Sequence, residues 1–334
     1  MALSGFTYID GSALPGETLA NQEARMRRDI NAALAASGQP SWQVVWGPGV
    51  SDDRGNMLYV AGDTNSKQLA VAIRGTDWSF WLDWVQDLAV VLPLQPFTSI
   101  LPSTPANNPR IAAGTTVGLN QLLAAQGSTS AGTQVDVVTF LRQAGPDADI
   151  FITGHSLGGC LASVLAPSLA FQLGSASNLK VYTFAAPSAG DQNFAEYYNR
   201  LFMNQGTNIS TAHRVYNSLD VVPNSWASLN VIETYYDPSP RCTSELKAIV
   251  DKAISLVGTQ YVQVGTAAEG SAVKLDGSPV VQPTFGLDPV GDALFFRQLQ
   301  QQHATSMYQH LLNTPVVVSA TVGKMRAVKS TLLA

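Results

Sequence analysis

Apolar positions along the chain follow two rhythms. Over residues 17–36, Leu19, Met26, Ile30, Ala33 and Leu34 recur at helical spacing, and Gly38 with Pro40 ends the run. Residues 42–46 and 57–61 read as short strands, divided by Gly47-Pro48-Gly49 and Asp53-Arg54-Gly55, which are turn chemistry. A buried strand follows over 69–73, then helical patterns over 111–126 and 133–144. Residues 150–152 form a short apolar strand leading into an apolar helix over 157–173, and 181–184 and 213–216 read as two more strands. Strands apolar throughout and alternating with helices predict an α/β fold, a mostly parallel sheet with helices on both faces. Between 224 and 302 the pattern loosens. There 246–256 reads as a helix, 261–264 and 273–275 as strand, and Asp276-Gly277 as a hairpin turn. That stretch is expected to be an insertion or an extension of the sheet edge within a single domain spanning 1–334. A last helix is expected over 304–312, stopped by Pro315.

Composition narrows the function classes. Apolar residues make up 46% of the chain and charged residues 13%, about half the ~25% charged of an average globular domain. Disorder needs the reverse balance and is excluded. The net charge is −5 and no basic cluster exceeds Arg25, Arg27 and Arg28, so a polyanion such as nucleic acid is not an expected partner. The longest apolar stretch, 157–173, is too short for a bilayer and is interrupted by Pro167, so no transmembrane segment is expected. Of two cysteines, Cys160 opens an apolar helix and reads as a small buried hydrophobe; its only conceivable bridge is to Cys242. No Cys/His spacing suits zinc, and no Asp-rich loop has the usual calcium spacing. The first residues lack a basic stretch and an apolar run, so no signal peptide is expected; the protein is cytoplasmic, or secreted after loss of a presequence.

The chemistry concentrates at Gly154-His155-Ser156-Leu157-Gly158, a G-x-S-x-G between a predicted strand and a predicted helix. By itself the pattern is weak. In that context it describes a nucleophile on a strained strand-to-helix turn, with glycines where strand and helix pass closest. A serine hydroxyl needs a base to remove its proton. Of four histidines, His155 adjoins the serine and is expected to brace the turn. His213 begins an apolar strand and reads as a core or edge histidine. His303 and His310 lie downstream, as the order Ser…Asp…His requires. They stand seven residues apart, ~10 Å along one helix, so only one can reach Ser156. His303, at the entrance of the 304–312 helix, is the expected base. Asp220, after the strand ending at Tyr216, is the expected acid, ahead of the rivals Asp191 and Asp237. Two oxyanion donors are needed: the N–H of Leu157, and Thr76 in the loop leaving the 69–73 strand.

Taken together, Ala72-Ile73-Arg74-Gly75-Thr76, Gly154-His155-Ser156-Leu157-Gly158-Gly159, Thr183-Phe184-Ala185-Ala186-Pro187 and Asp220-Val221-Val222-Pro223 resemble the class 3 lipase family, the fungal triacylglycerol lipase type. The resemblance spans about 57–225, with the base beyond it. It implies an α/β-hydrolase fold with Ser156 as nucleophile, Asp220 as acid and Thr76 with Leu157 as oxyanion hole. His303, followed five residues later by Tyr308, resembles the family's ending. The family hydrolyses carboxylic esters of lipids and needs no cofactor; phospholipase A1, feruloyl esterase and short-chain esterase share the same constellation. A non-catalytic lipid-binding protein on the same fold is the alternative from another class. The family usually has Thr-Phe-Gly-x-Pro-Arg where this chain has Ala185 and Ser188. Trp78, Trp81, Leu82, Val85 and Leu88 fall on one helical face, with Asp77 placed to cap it, so 77–92 is expected to be a lid that turns its apolar face to a lipid–water interface.

Overall fold

Seven strands make the central sheet: β1 (Trp42–Val50), β2 (Met57–Asp63), β3 (Gln68–Ile73), β4 (Asp149–His155), β5 (Leu179–Phe184), β6 (Ala212–Asn217) and β7 (Ala272–Leu275). They lie side by side in chain order. β1–β2 and β2–β3 pair antiparallel; every pairing from β3 to β7 is parallel. The computed structural model describes residues 1–9, 14–53, 55–75, 93–97, 108–176, 178–204, 206–236, 240, 244–258, 260–278 and 292–314. Thr76 and the expected lid face, Trp78, Trp81, Leu82, Val85 and Leu88, lie outside the described residues, as do Asp237 and Cys242.

Alternation along the strands divides the core between two faces. On one face Val60, Val71, Ile152, Val181 and Ala212 pack under four helices: α3 (Ala113–Ala124), α4 (Val137–Ala144), α5 (Leu157–Leu173) and α6 (Gln192–Leu201). On the other, Tyr59, Ala61 and Ala72 are covered by α1 (Ala2–Phe6) and α2 (Leu19–Ala36). On that side, further along the sheet, Phe184 and Val215 meet Tyr308 of α9 (Thr305–Leu311). α5 is buried from Gly158 to Ala170, which is why its sequence carries no polar stripe. Asp136 and Asp191 cap α4 and α6 by accepting Thr139 N–H at 2.8 Å and Phe194 N–H at 2.9 Å.

The 224–302 stretch contributes two things. Residues 272–275 extend the sheet as β7. The rest, with α7 (Ser244–Val257) and α8 (Asp292–His303), builds a second apolar cluster of Trp226, Ile232, Tyr236, Val250, Phe295 and Leu299 against Val221. Five expectations change. Gly47-Pro48-Gly49 does not end the first strand at 46: it continues β1 to Val50, paired with β2. Residues 110–112 form a short strand rather than the start of a helix, because they pair with neighbours at 94–96 and 190. Residues 134–136 likewise pair with 126–128 before α4 begins. The strand expected over 261–264 covers only 261–262, paired antiparallel with 190–191. No hairpin forms at Asp276-Gly277 among the described residues: β7 takes β6 as a parallel partner, and Gly277 N–H turns to Ser218 Oγ at 3.0 Å. Also among the described residues, no helix is long and apolar enough to cross a membrane.

Candidate active site

The carboxyl ends of β3, β4, β5 and β6 lie along one edge of the sheet, where open α/β sheets place their sites. β4 ends at His155, and Ser156 follows with φ 60° and ψ −130° as the N-cap of α5. A serine at positive φ is strained by about 1–3 kcal/mol. The turn is held by Ser156 N–H donating to Phe184 O at 2.9 Å, and by Gly159 N–H returning to Ser156 O at 2.9 Å. Two glycines make it possible. A Cβ on Gly154 would overlap the Gly158 carbonyl, and a Cβ on Gly158 would overlap the Ile73 carbonyl. Leu157 is the first residue of α5, so its N–H belongs to the electropositive end of a 17-residue helix.

The structure brings three of the sequence-predicted residues together. Ser156 Oγ lies 2.9 Å from His303 Nε2, and His303 Nδ1 lies 2.8 Å from Asp220 Oδ2. Asp220 is fully buried on the tight turn after β6, its N–H donating to Asn217 O at 3.0 Å. Its carboxylate is matched oxygen by oxygen: Oδ1 accepts from Val222 N–H at 3.0 Å, and Oδ2 also accepts from Tyr308 O–H at 2.8 Å. Burial first, and the Asp220 charge second, push the Tyr308 phenol well above its ordinary range, so it stays a donor. With Asp220 accepting only, His303 carries its proton on Nδ1 and presents Nε2 as an acceptor to the serine hydroxyl.

His303 stands elsewhere than expected. It does not lead into the last helix from a loop; it closes α8. Phe295 and Leu299, one turn apart, bury their side chains in the second cluster and carry the helix on to residue 303. Ala304 then takes an extended backbone, φ −59° and ψ 141°, before α9 begins. His310 is exposed on the last turn of α9. His213 is half-buried and stacks on Tyr182, ring centroids 5.2 Å apart. Asp191 is committed to Arg110 Nε at 2.9 Å and to its helix cap. Cys160 is a free, buried thiol that burial pushes up to about 12.

His155 braces the site through both ring nitrogens. Its Nε2–H donates to the His303 carbonyl at 2.8 Å, and its Nδ1 accepts from Tyr8 O–H at 3.0 Å. Burial, and then the neighbouring His303, hold it neutral by lowering it well below 6.5. Asn217 ties down the same helix end, its Nδ2 donating to Gln302 O at 3.0 Å and to Gln302 Oε1 at 2.7 Å. Sequence reasoning reached Tyr308 through its spacing from His303 but not Tyr8 or Asn217, which are isolated polar residues in unremarkable stretches. Ala185, at the family's glycine position, is buried with φ 54°, the left-handed region glycine favours. Ser188, at the arginine position, donates its hydroxyl to Ser225 O at 2.9 Å. Among the described residues no three His, Cys, Asp or Glu side chains group as a metal site.

A family model described as lipase (class 3) matches residues 70–229. The chain is similar to Lipase ZK262.3 of Caenorhabditis elegans, 38% identical over 76 residues, 22% of this chain and 20% of that protein. It is also similar to Lipase A of Sodiomyces alcalophilus, 36% identical over 77 residues, 23% of this chain and 18% of that protein. The matched stretch thus spans about a fifth of these curated relatives. Among solved structures, M37 lipase superposes with a TM-score of 0.73 at 26% identity, covering 94% of this chain and 91% of that one. Lip2 lipase of Yarrowia lipolytica shares the fold, with a TM-score of 0.53 at 19% identity over 85% of this chain and 78% of its own.

Proposed function

We propose that the chain is a class 3 lipase, a serine carboxylic-ester hydrolase acting on acylglycerols, a reading supported by the family model over residues 70–229 and by the likeness to M37 lipase. The observation that carries the reading is the unbroken line from Ser156 Oγ to His303 Nε2, 2.9 Å, and from His303 Nδ1 to Asp220 Oδ2, 2.8 Å. Ser156 is the nucleophile. As Oγ attacks the ester carbonyl, His303 Nε2 takes its proton and the imidazolium that forms is stabilised by ionised Asp220. The oxyanion is held by the Leu157 N–H and, on the family pattern, by Thr76, each donor worth ~3 kcal/mol of barrier. Collapse of the intermediate expels the alcohol, which receives its proton from His303. A water deprotonated by His303 then cleaves the acyl-enzyme to release the carboxylic acid and free Ser156. The machinery is made of side chains and backbone, and no step calls on a cofactor.

A fluorophosphonate probe tests the reading, since it reacts only with an activated serine. The expected result is labelling of the wild type, abolished in Ser156→Ala. An unlabelled wild type would favour a lipid-binding protein without catalysis. Acylglycerols as substrates rest on the family and on relatives named as lipases. A panel of short- and long-chain acylglycerols, phospholipids and feruloyl esters, with the acylglycerols cleaved fastest, is the expected outcome.

A further inference from the structure

The second apolar cluster does more than cover the sheet edge. Its two adjacent tyrosines reach the loop that carries the acid. Tyr236 O–H donates to Leu219 O at 2.9 Å, and Tyr235 O–H donates to Asp220 O at 3.2 Å. The two rings meet edge to face, centroids 5.6 Å apart. The Tyr236 ring also packs on Phe295, centroids 5.0 Å apart. Phe295 lies two turns above His303 on α8. One side chain therefore touches both the loop that presents the acid and the helix that presents the base.

We propose that Tyr236, seconded by Tyr235, is a positioning clamp that holds the Asp220 loop in register with the His303 helix. The proposal rests on the assignment of Asp220 and His303 as acid and base. Neither tyrosine touches the reacting atoms; each acts through Asp220. Asp220 and His303 are 83 residues apart in the chain and sit on separate elements, so the 2.8 Å between them is set by whatever spans loop and helix. A proton relay tolerates little error in that distance, because hydrogen bonds weaken steeply as distance and angle relax. Tyr308 and Val222 hold the carboxylate itself. The tyrosine pair holds the main chain beneath it. Both hydroxyls remain donors: burial pushes the Tyr235 phenol up to about 12, and Tyr236 is raised further by burial and by the Asp220 charge. The arrangement gives the stretch between acid and base a role in the reaction that no motif within it announces.

Phenylalanine at each position removes the hydroxyl and keeps the ring packing. With a soluble p-nitrophenyl ester, each single variant is expected to lose about 5- to 10-fold in kcat, the worth of one hydrogen bond. The double variant is expected to lose more, with KM within about two-fold of wild type. The decisive readout is the Asp220→Ala background, whose residual activity is measurable. There the two tyrosine substitutions should have no further effect on kcat, whereas a general loosening of the fold would lower it again. Wild-type kcat in the double variant, or a loss confined to KM, overturns the clamp while Asp220→Ala remains nearly inactive. A fully active Asp220→Ala variant overturns the acid assignment and the clamp with it.

Discussion

At the scale of single residues, the separation of His303 from His310 is decided by one turn of backbone. His303 has both nitrogens engaged, by Ser156 and by Asp220, and is buried; His310 points to solvent at the end of α9. His303→Ala should lower kcat by about 10³-fold or more while the protein stays folded, as removal of a triad member does. His310→Ala should leave kcat near wild type. Steady-state kinetics on the two purified variants, with circular dichroism as the control for folding, checks both. That Ser156, Asp220 and His303 would come together was legible beforehand, because each announces itself locally: a G-x-S-x-G at a strand end, an aspartate after a strand, a histidine in the right order. Tyr8, Asn217, Tyr235 and Tyr236 were not. Their partners are a ring nitrogen, a side-chain amide and backbone carbonyls far away in the chain, and no spacing encodes such a meeting.

Among the elements, β4 and α5 form the unit on which everything else depends. The limits of α5 could be read because it is apolar on every side and begins at a glycine-flanked serine, whereas β4 runs over Asp149–His155, longer than the expected 150–152. The strand at 110–112 was missed, being three residues long and defined by its neighbours. So was α8, whose four glutamines, Gln298 and Gln302 buried among them, dilute the signal of Phe295 and Leu299. The contact between β4, α5 and the end of β3 leaves no room for a methyl group at Gly158, where the added atom would meet the Ile73 carbonyl and the Arg74–Gly75 backbone. Backbone cannot swing aside as a flexible side chain can. Gly158→Ala is therefore expected to destabilise the fold by about 1–3 kcal/mol or more, the range for overpacking. Urea titration followed by tryptophan fluorescence measures it, and an unchanged midpoint would contradict the packing described.

For the molecule as a whole, the helix-covered sheet was legible from apolar strands alternating with helices. Its seven-strand order was not, since β7 joins from within a stretch whose periodicity is faint. The same global fold makes stability depend on pH through a buried base. His155 is neutral in the folded state and well below 6.5, whereas in the unfolded chain it titrates near its ordinary value. Below that value the unfolded chain binds a proton that the folded protein refuses. Stability is then full above about pH 6.5 and falls as the pH drops, by up to ~1.4 kcal/mol per pH unit for this one group. Urea midpoints measured at pH 7.5 and 5.5 should show the decline. His155→Gln should lessen the slope between those two values, whatever its effect on activity. An unaltered slope would mean that other groups carry the acid sensitivity.

The distances in sequence between the three central side chains set an order of events during synthesis. Ser156 and Asp220 leave the ribosome long before His303, which lies 147 residues after the serine and 83 after the acid. A nascent chain can complete β1 to β6 and even shape the serine turn while Ser156 still lacks its His303 partner. Long-range pairings of this kind form late in folding, after the closure of large loops. On the proposed mechanism, the growing polypeptide is thus chemically silent toward esters until its last helices dock, and catalytic competence would arrive together with the finished fold.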